Sequence, residues 1–190
     1  MTPLPTPHLK FAAAGTLEVT VTYLEMLAKP ELPRPPTPPV AYRIDRVERP
    51  SVPFYRYLYN TVGAPWLWHE RRRMGDGELA EVLDDPNLWL YVIYAEGEPA
   101  GYAELDARKQ PEIELAYFGI IPKFIGHRLG PTLLRAAVDM AWQAHATRFW
   151  VHTCSLDHPK ALPCYVRAGF VPYKEVVRRI RDPRPLPLNI

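Results

Sequence analysis

Much of the chemistry in this sequence lies in ELAYFGIIPKFIGHRLGPTLL, from Glu114 to Leu134. An apolar run ends in a loop holding Gly126 and Gly130, and Pro131 opens a helical pattern. A helix begun in this way presents backbone N–H groups without intrahelical acceptors at the positive end of its dipole, and such a corner binds phosphate. The same residues equally suit an ordinary strand-to-helix turn with two glycines for tight geometry. Just upstream, EIELAYFGI alternates so that Glu112 and Glu114 share one face and Ile113, Leu115 and Tyr117 the other. Two carboxylates on one face suit proton transfer, and equally a solvated strand surface. Cys154, Asp157 and His158 lie close together, the residue types of a thiol nucleophile and its base. Buried cysteines are more often inert packing; Cys164 reads the same way, and His152 reads as a packed strand histidine.

These residues need a scaffold, and the pattern along the chain supplies one. Leu17, Val19, Val21 and Tyr23 alternate with Thr16, Glu18, Thr20 and Thr22, which predicts a half-buried strand over 16–23. Residues 29–39 carry six prolines and are expected to run as a polyproline II spacer. A strand from Val40 precedes the aromatic stretches FYRYLYNTVG and PWLWHERRRMG, both read as helical, and a short helix over GELAEVLDD. Two strands joined at Gly97 form a hairpin, followed by the strand EIELAYFGI. A helix is expected from Pro131 to about His145, burying Leu133, Leu134, Ala137, Val138, Ala141 and Trp142. RFWVHTCS then reads as a strand, DHPKALPCYVRAG as a short helix and GFVPYKEVVRRI as a final strand, giving a mixed α/β domain.

Composition narrows the function classes. A chain of 190 residues with 47% hydrophobic and 23% charged residues fits one globular domain. Its 23 prolines are more than twice the usual share of about 5% and argue against a long-helix bundle. Twenty-three basic against 21 acidic side chains is too balanced for a dedicated nucleic-acid binder. Two cysteines without a CxxC pair suggest no zinc site, reduced thiols and a cytoplasmic setting. No apolar run of about 18 residues and no leader pattern occur, so a soluble, untargeted protein with no membrane partner is expected. The organisation read from these patterns is an N-terminal strand and Pro-rich spacer over 1–39, a main domain over 40–182 and a Pro-rich tail over 183–190.

Taken together, YFGIIPKFIGHRLGPTLL, RFWVHT and HPKALPCYVRAGF resemble the GNAT superfamily of N-acetyltransferases over roughly residues 40 to 180. The family's loop pattern, Gln/Arg-x-x-Gly-x-Gly/Ala, falls on Ile125 to Gly130. Gly130 matches, whereas Ile125 replaces the polar lead residue and Arg128 the middle glycine. The second pattern, Tyr-x-x-x-Gly-Phe, is intact as Tyr165, Gly169 and Phe170, with Ala161 in its usual place and His158 where Asn is common.

The resemblance implies a central mixed β-sheet flanked by helices, and direct transfer of an acetyl group from acetyl-CoA to a primary amine without a metal. By the same resemblance, Gly126, His127, Arg128, Leu129, Gly130, Pro131 and Thr132, with His158, are the acetyl-CoA-binding residues. Amides near Gly119, Ile120 and Ile121 pair with the pantetheine arm and polarise the thioester. Tyr165 is the acid for the departing thiolate and Glu114, rather than Glu112, the base. The aromatic and basic stretch from Phe54 to Arg73 covers the acceptor, a small-molecule or peptide amine. Arg128 is expected in an ordinary backbone conformation with its guanidinium on a phosphate. A non-catalytic acyl-CoA-binding sensor or interaction module on the same fold is the alternative. A homodimer stays open, since the strand at 16–23 is suited to a sheet edge within or between chains.

Overall fold

The computed structural model describes residues 5–7, 9–13 and 15–184. Most of the expected Pro-rich tail, from residue 185 on, lies outside them. Eight strands, β1 (Lys10–Ala13), β2 (Thr16–Met26), β3 (Tyr42–Val47), β4 (Leu88–Ala95), β5 (Glu98–Lys109), β6 (Glu112–Ile120), β7 (Arg148–Cys154) and β8 (Val171–Arg181), form one sheet among the described residues. Five helices accompany it: α1 (Val52–Gly63), α2 (Glu70–Arg73), α3 (Asp76–Leu83), α4 (Leu129–Gln143) and α5 (Ala161–Arg167). The order β1-β2-β7-β6-β5-β4-β3, with β8 on β2, is antiparallel except at β6 and β7. Those two run parallel because α4 carries the chain back across the sheet between them.

Every residue from Ala100 to Leu105 on β5 is buried, so the sheet is covered on both faces. One cover is α1, whose Tyr55 and Tyr59 lie against Tyr102 and Trp68. The other is α4, which buries Leu133, Leu134, Ala137, Val138 and Ala141 as its periodicity predicts. The hairpin at Gly97 forms as read, with Glu96 and Gly97 both at positive φ (53° and 81°).

Three expectations are corrected. The stretch PWLWHERRRMG is not continuously helical: it holds a short 3-10 turn over Ala64–Trp66 and the single turn α2. A left-handed Leu67 (φ 60°, ψ 30°) separates them. Second, β2 is no edge strand, since it pairs with β7 along one side and β8 along the other. Its two halves bury opposite faces, Leu17, Val19 and Val21 in a small separate cluster and Leu24 and Met26 in the main core. Third, Tyr117 does not share a face with Leu115. Leu105 pairs with Leu115 but Glu104 with Tyr117, so Ala116 is a bulge residue and alternation is reset beyond it. Tyr117 thereby joins Glu104 on the α1 face.

Candidate active site

Pairing between β6 and β7 stops at Leu115 and Val151, although both strands continue, to Ile120 and Cys154. Beyond that point the strands diverge around a cleft of about 550 Å³. Its border includes Tyr117, Phe118, Gly119 and Ile120 from β6, His152 and Cys154 from β7, Gly126, Arg128, Gly130 and Pro131 from the loop and α4, and Tyr165 from α5. The loop, the diverging strands and the Tyr-x-x-x-Gly-Phe segment thus meet at one place.

The α4 N-terminus forms its mouth. Arg128 is the N-cap residue, and helix geometry leaves the N–H groups of Arg128, Leu129 and Gly130 without intrahelical acceptors, while Pro131 has none to leave. Gly126 has φ 96°, open to glycine at no steric cost. Arg128 departs from its expected ordinary conformation. It is left-handed (φ 60°, ψ 13°), because the chain must turn sharply into the helix at a position the family pattern gives to glycine. Its side chain is exposed on the cleft border, together with those of Lys160 and Arg167.

The remaining loop residues contribute unequally. The His127 amide donates to the Phe124 carbonyl (3.3 Å), and its ring does not border the cleft. Leu129 buries its side chain in the core. Thr132 donates its hydroxyl to the Arg128 carbonyl (3.0 Å), which fixes the helix start. The Ile121 amide is taken by the Ala100 carbonyl (2.8 Å) and its side chain is buried away from the cleft. Strand alternation then turns Gly119 toward β5 as well, leaving the N–H groups of Phe118 and Ile120 facing the gap. Gly119 serves sterically: a Cβ there would lie 2.2 Å from Val62 Cγ1 on α1.

Tyr165 is 6% exposed and packs against Phe118 and Phe170 at centroid distances of 6.1 and 5.9 Å. Burial, with Asp157 nearby, pushes its phenol well above the ordinary value, so it stays protonated. The residue borders the cleft, and its hydroxyl makes no hydrogen bond among the described residues.

Glu114 does not border the cleft. It sits opposite Trp150, one residue before the strands part, and one of its carboxylate oxygens lies 3.2 Å from His152 Nδ1. Sequence reading treated His152 as packing; a basic residue two positions beyond Trp150, on the same strand face, was the available signal. The Glu114 hydrogen bond raises the His152 pKa against the opposing effect of burial, and Glu70 and Asp157 add to the rise. Glu112 is placed elsewhere, in an ion pair with Arg148 (2.9 Å) that Glu25 shares (2.7 Å). Tyr165 stands with Phe118 and Phe170 toward the α4 side and His152 with Tyr23 toward the other, so the two groups flank the gap.

Glu70, another residue missed in sequence, borders the cleft from α2 and accepts a hydrogen bond from the Tyr117 hydroxyl (2.6 Å). A single helical turn has little stability of its own. Here it is anchored by Arg71, which reaches Glu104 on β5 (2.6 Å), while the Tyr55 hydroxyl donates to the other Glu104 oxygen. Glu104 is fully buried; desolvation pushes its carboxyl up while Arg71 pulls it down. His158 accepts the Lys160 amide at Nδ1 (3.0 Å) and burial lowers its pKa, so it is neutral. Burial pushes Cys154 up to about 12, which removes it as a thiolate nucleophile near neutral pH. Among the described residues no cluster of three or more His, Cys, Asp or Glu is arranged to hold a metal, and no helix is long and apolar enough to cross a membrane.

The family described as "Acetyltransferase (GNAT) family" matches residues 46–170. No curated protein sequence matches the chain. Among solved structures, a functionally unknown conserved protein from Staphylococcus epidermidis ATCC 12228 aligns at 14% identity and TM-score 0.57, covering 89% of this chain and 64% of its own. A GCN5-related N-acetyltransferase from Sphaerobacter thermophilus aligns at 14% and 0.62, with coverages of 85% and 51%. The chain therefore spans less than two thirds of both proteins. An aminoglycoside acetyltransferase from an uncultured soil metagenomic sample, solved with trehalose, aligns at 15% and 0.59, with coverages of 72% and 93%. At these identities the likeness is one of fold.

Proposed function

The chain belongs to the GNAT family of acetyltransferases, and from that premise we propose that it is an N-acetyltransferase moving an acetyl group from acetyl-CoA to a primary amine. The observation that carries this reading is the divergence of β6 from β7 directly beside the α4 N-terminus. The residues present fit acetyl-CoA. The amides of Arg128, Leu129 and Gly130 suit its pyrophosphate, and the exposed cations Arg128, Lys160 and Arg167 suit its phosphates. The Phe118 and Ile120 amides suit the pantetheine arm and the thioester carbonyl, in place of Gly119 and Ile121.

When bound, acetyl-CoA supplies an activated acyl group on a thiol leaving group. His152, oriented by Glu114, takes the proton from the incoming ammonium so that the amine attacks as a neutral nucleophile. The new bond is N–C, the broken bond C–S, and Tyr165 gives its phenolic proton to the departing sulfur. Glu114 is then a positioning residue for the base. Thiol release from acetyl-CoA over a panel of primary amines tests the reading. Amine-dependent release supports it; tight acetyl-CoA binding without release refutes it in favour of a non-catalytic acyl-CoA-binding module.

A further inference from the structure

Residues 64–69 form a strap between α1 and α2 that is tied to the far side of the gap at two points. Trp68 packs against Tyr59 and Tyr117, the latter on β6, and its indole N–H donates to Asp157 Oδ1 just beyond β7 (3.2 Å). Asp157 is itself fixed, its other oxygen accepting from the Thr153 hydroxyl and the Cys154 amide (2.8 Å each). Trp66 stands edge-on to His158 at 5.0 Å. Between these anchors Leu67 packs onto the small cluster formed by Leu17, Val19, Val21 and Leu156.

Two consequences follow for whatever enters. An extended polypeptide needs an open groove, whereas here a bonded strap bridges the two diverging sides. Leu67 of the strap and, beneath it, Val19, Val21, Leu156 and Ile180 border the cleft as apolar wall. Of the carboxylates there, Asp157 has both oxygens engaged by Trp68, Thr153 and Cys154, and Glu70 is the second. Val19 and Val21 come from β2 and Ile180 from β8, outside the 46–170 family match, while Leu67 and Leu156 lie within it.

We infer that the acceptor is a small amine with an apolar body, its ammonium drawn to Glu70 and its body seated against Val19, Val21, Leu67, Leu156 and Ile180. This rests on the transferase reading above, because the same cleft must admit the thioester. Ammonium recognition beside His152 places the proton next to the group that removes it. The apolar wall then discriminates by size and polarity, an effect of about tenfold or more for a methylene-scale change.

The test compares 2-phenylethylamine, spermidine and a hexapeptide with a free N-terminus as acceptors for the full chain, with acetyl-CoA binding measured separately by calorimetry. The highest kcat/KM is expected for 2-phenylethylamine. Ile180→Trp, at a half-buried edge position, is expected to raise its KM about tenfold while acetyl-CoA affinity stays within twofold. Val21→Ala, which enlarges the space, is expected to shift preference toward 4-phenylbutylamine. Preference for spermidine or the peptide overturns the inference, as does an unchanged amine KM in both variants. Failure to bind acetyl-CoA, or acetyl-CoA binding with turnover of no amine at all, is a different result: it removes the transferase reading itself and this inference with it.

Discussion

Replacing Arg128 with glycine separates two contributions that this residue makes at one place. Its backbone is left-handed (φ 60°, ψ 13°), a conformation that costs an L-residue about 1–2 kcal/mol through contact of Cβ with the following carbonyl. Glycine removes that contact but gains conformational freedom in the unfolded chain, an offset of about 0.5–1 kcal/mol. The net expectation is a gain of about 0.5–1 kcal/mol, or a Tm rise of about 1–4 °C for a chain of this size. The lost guanidinium is exposed at the cleft mouth, where a screened ion pair contributes little. CoA affinity should therefore fall by no more than about fivefold, with a shallower salt dependence, because the amides of residues 128–130 remain. Thermal unfolding without ligand, and CoA titrations at two salt concentrations, measure both parts. A lower Tm in the glycine variant would refute the strain argument, and a loss of affinity above tenfold would show that the side chain, not the amide cradle, holds the phosphates.

Tyr165→Phe keeps the ring packing but deletes the proton, so kcat should fall about 10²- to 10⁴-fold with CoA affinity nearly unchanged; unaltered turnover in a chemistry-limited assay argues against the acid role. Because Glu114 raises the His152 pKa, the acidic limb of the pH–rate profile should lie above the ordinary histidine value near 6.5. Glu114→Gln should move that limb to lower pH, and Glu112→Gln should leave it in place. The same rise means that the His152–Glu114 pair stabilises the fold fully below the unfolded histidine value and loses that contribution as pH climbs through the raised one, which pH-dependent denaturation can follow. Glu104→Gln leaves Arg71 buried without its counter-charge, at a cost of about 3–5 kcal/mol. A Tm drop of roughly 6–20 °C in calorimetry is expected, and a change under 2 °C would mean that the pair does not anchor α2.

The sequence by itself determined what local rules govern. Alternation marked β2 and β6, the 3.6-residue period marked the buried face of α4, and glycine and proline marked the hairpin at Gly97 and the approach to α4. The helix start beyond Gly126 was also legible, and unpaired amides follow from any helix start. Long-range pairing lay beyond such rules. The Ala116 bulge turns Tyr117 to the opposite face only because β5 is offset at Glu104, and no property of EIELAYFGI announces that offset. Glu114 looked like a cleft residue because strand periodicity cannot tell where two strands separate, and the pairing ends one residue beyond it. His152 and Glu70 are held by partners 38 and 47 residues away, Glu114 and Tyr117. The placement of β2 between β7 and β8 joins residues more than 100 positions apart, which is a matter of tertiary packing, and it brings Val19, Val21 and Ile180 to the cleft border. Local sequence sets dihedral preference and the facing of side chains within one element; which elements meet, and where they part, is decided by the burial of the whole chain.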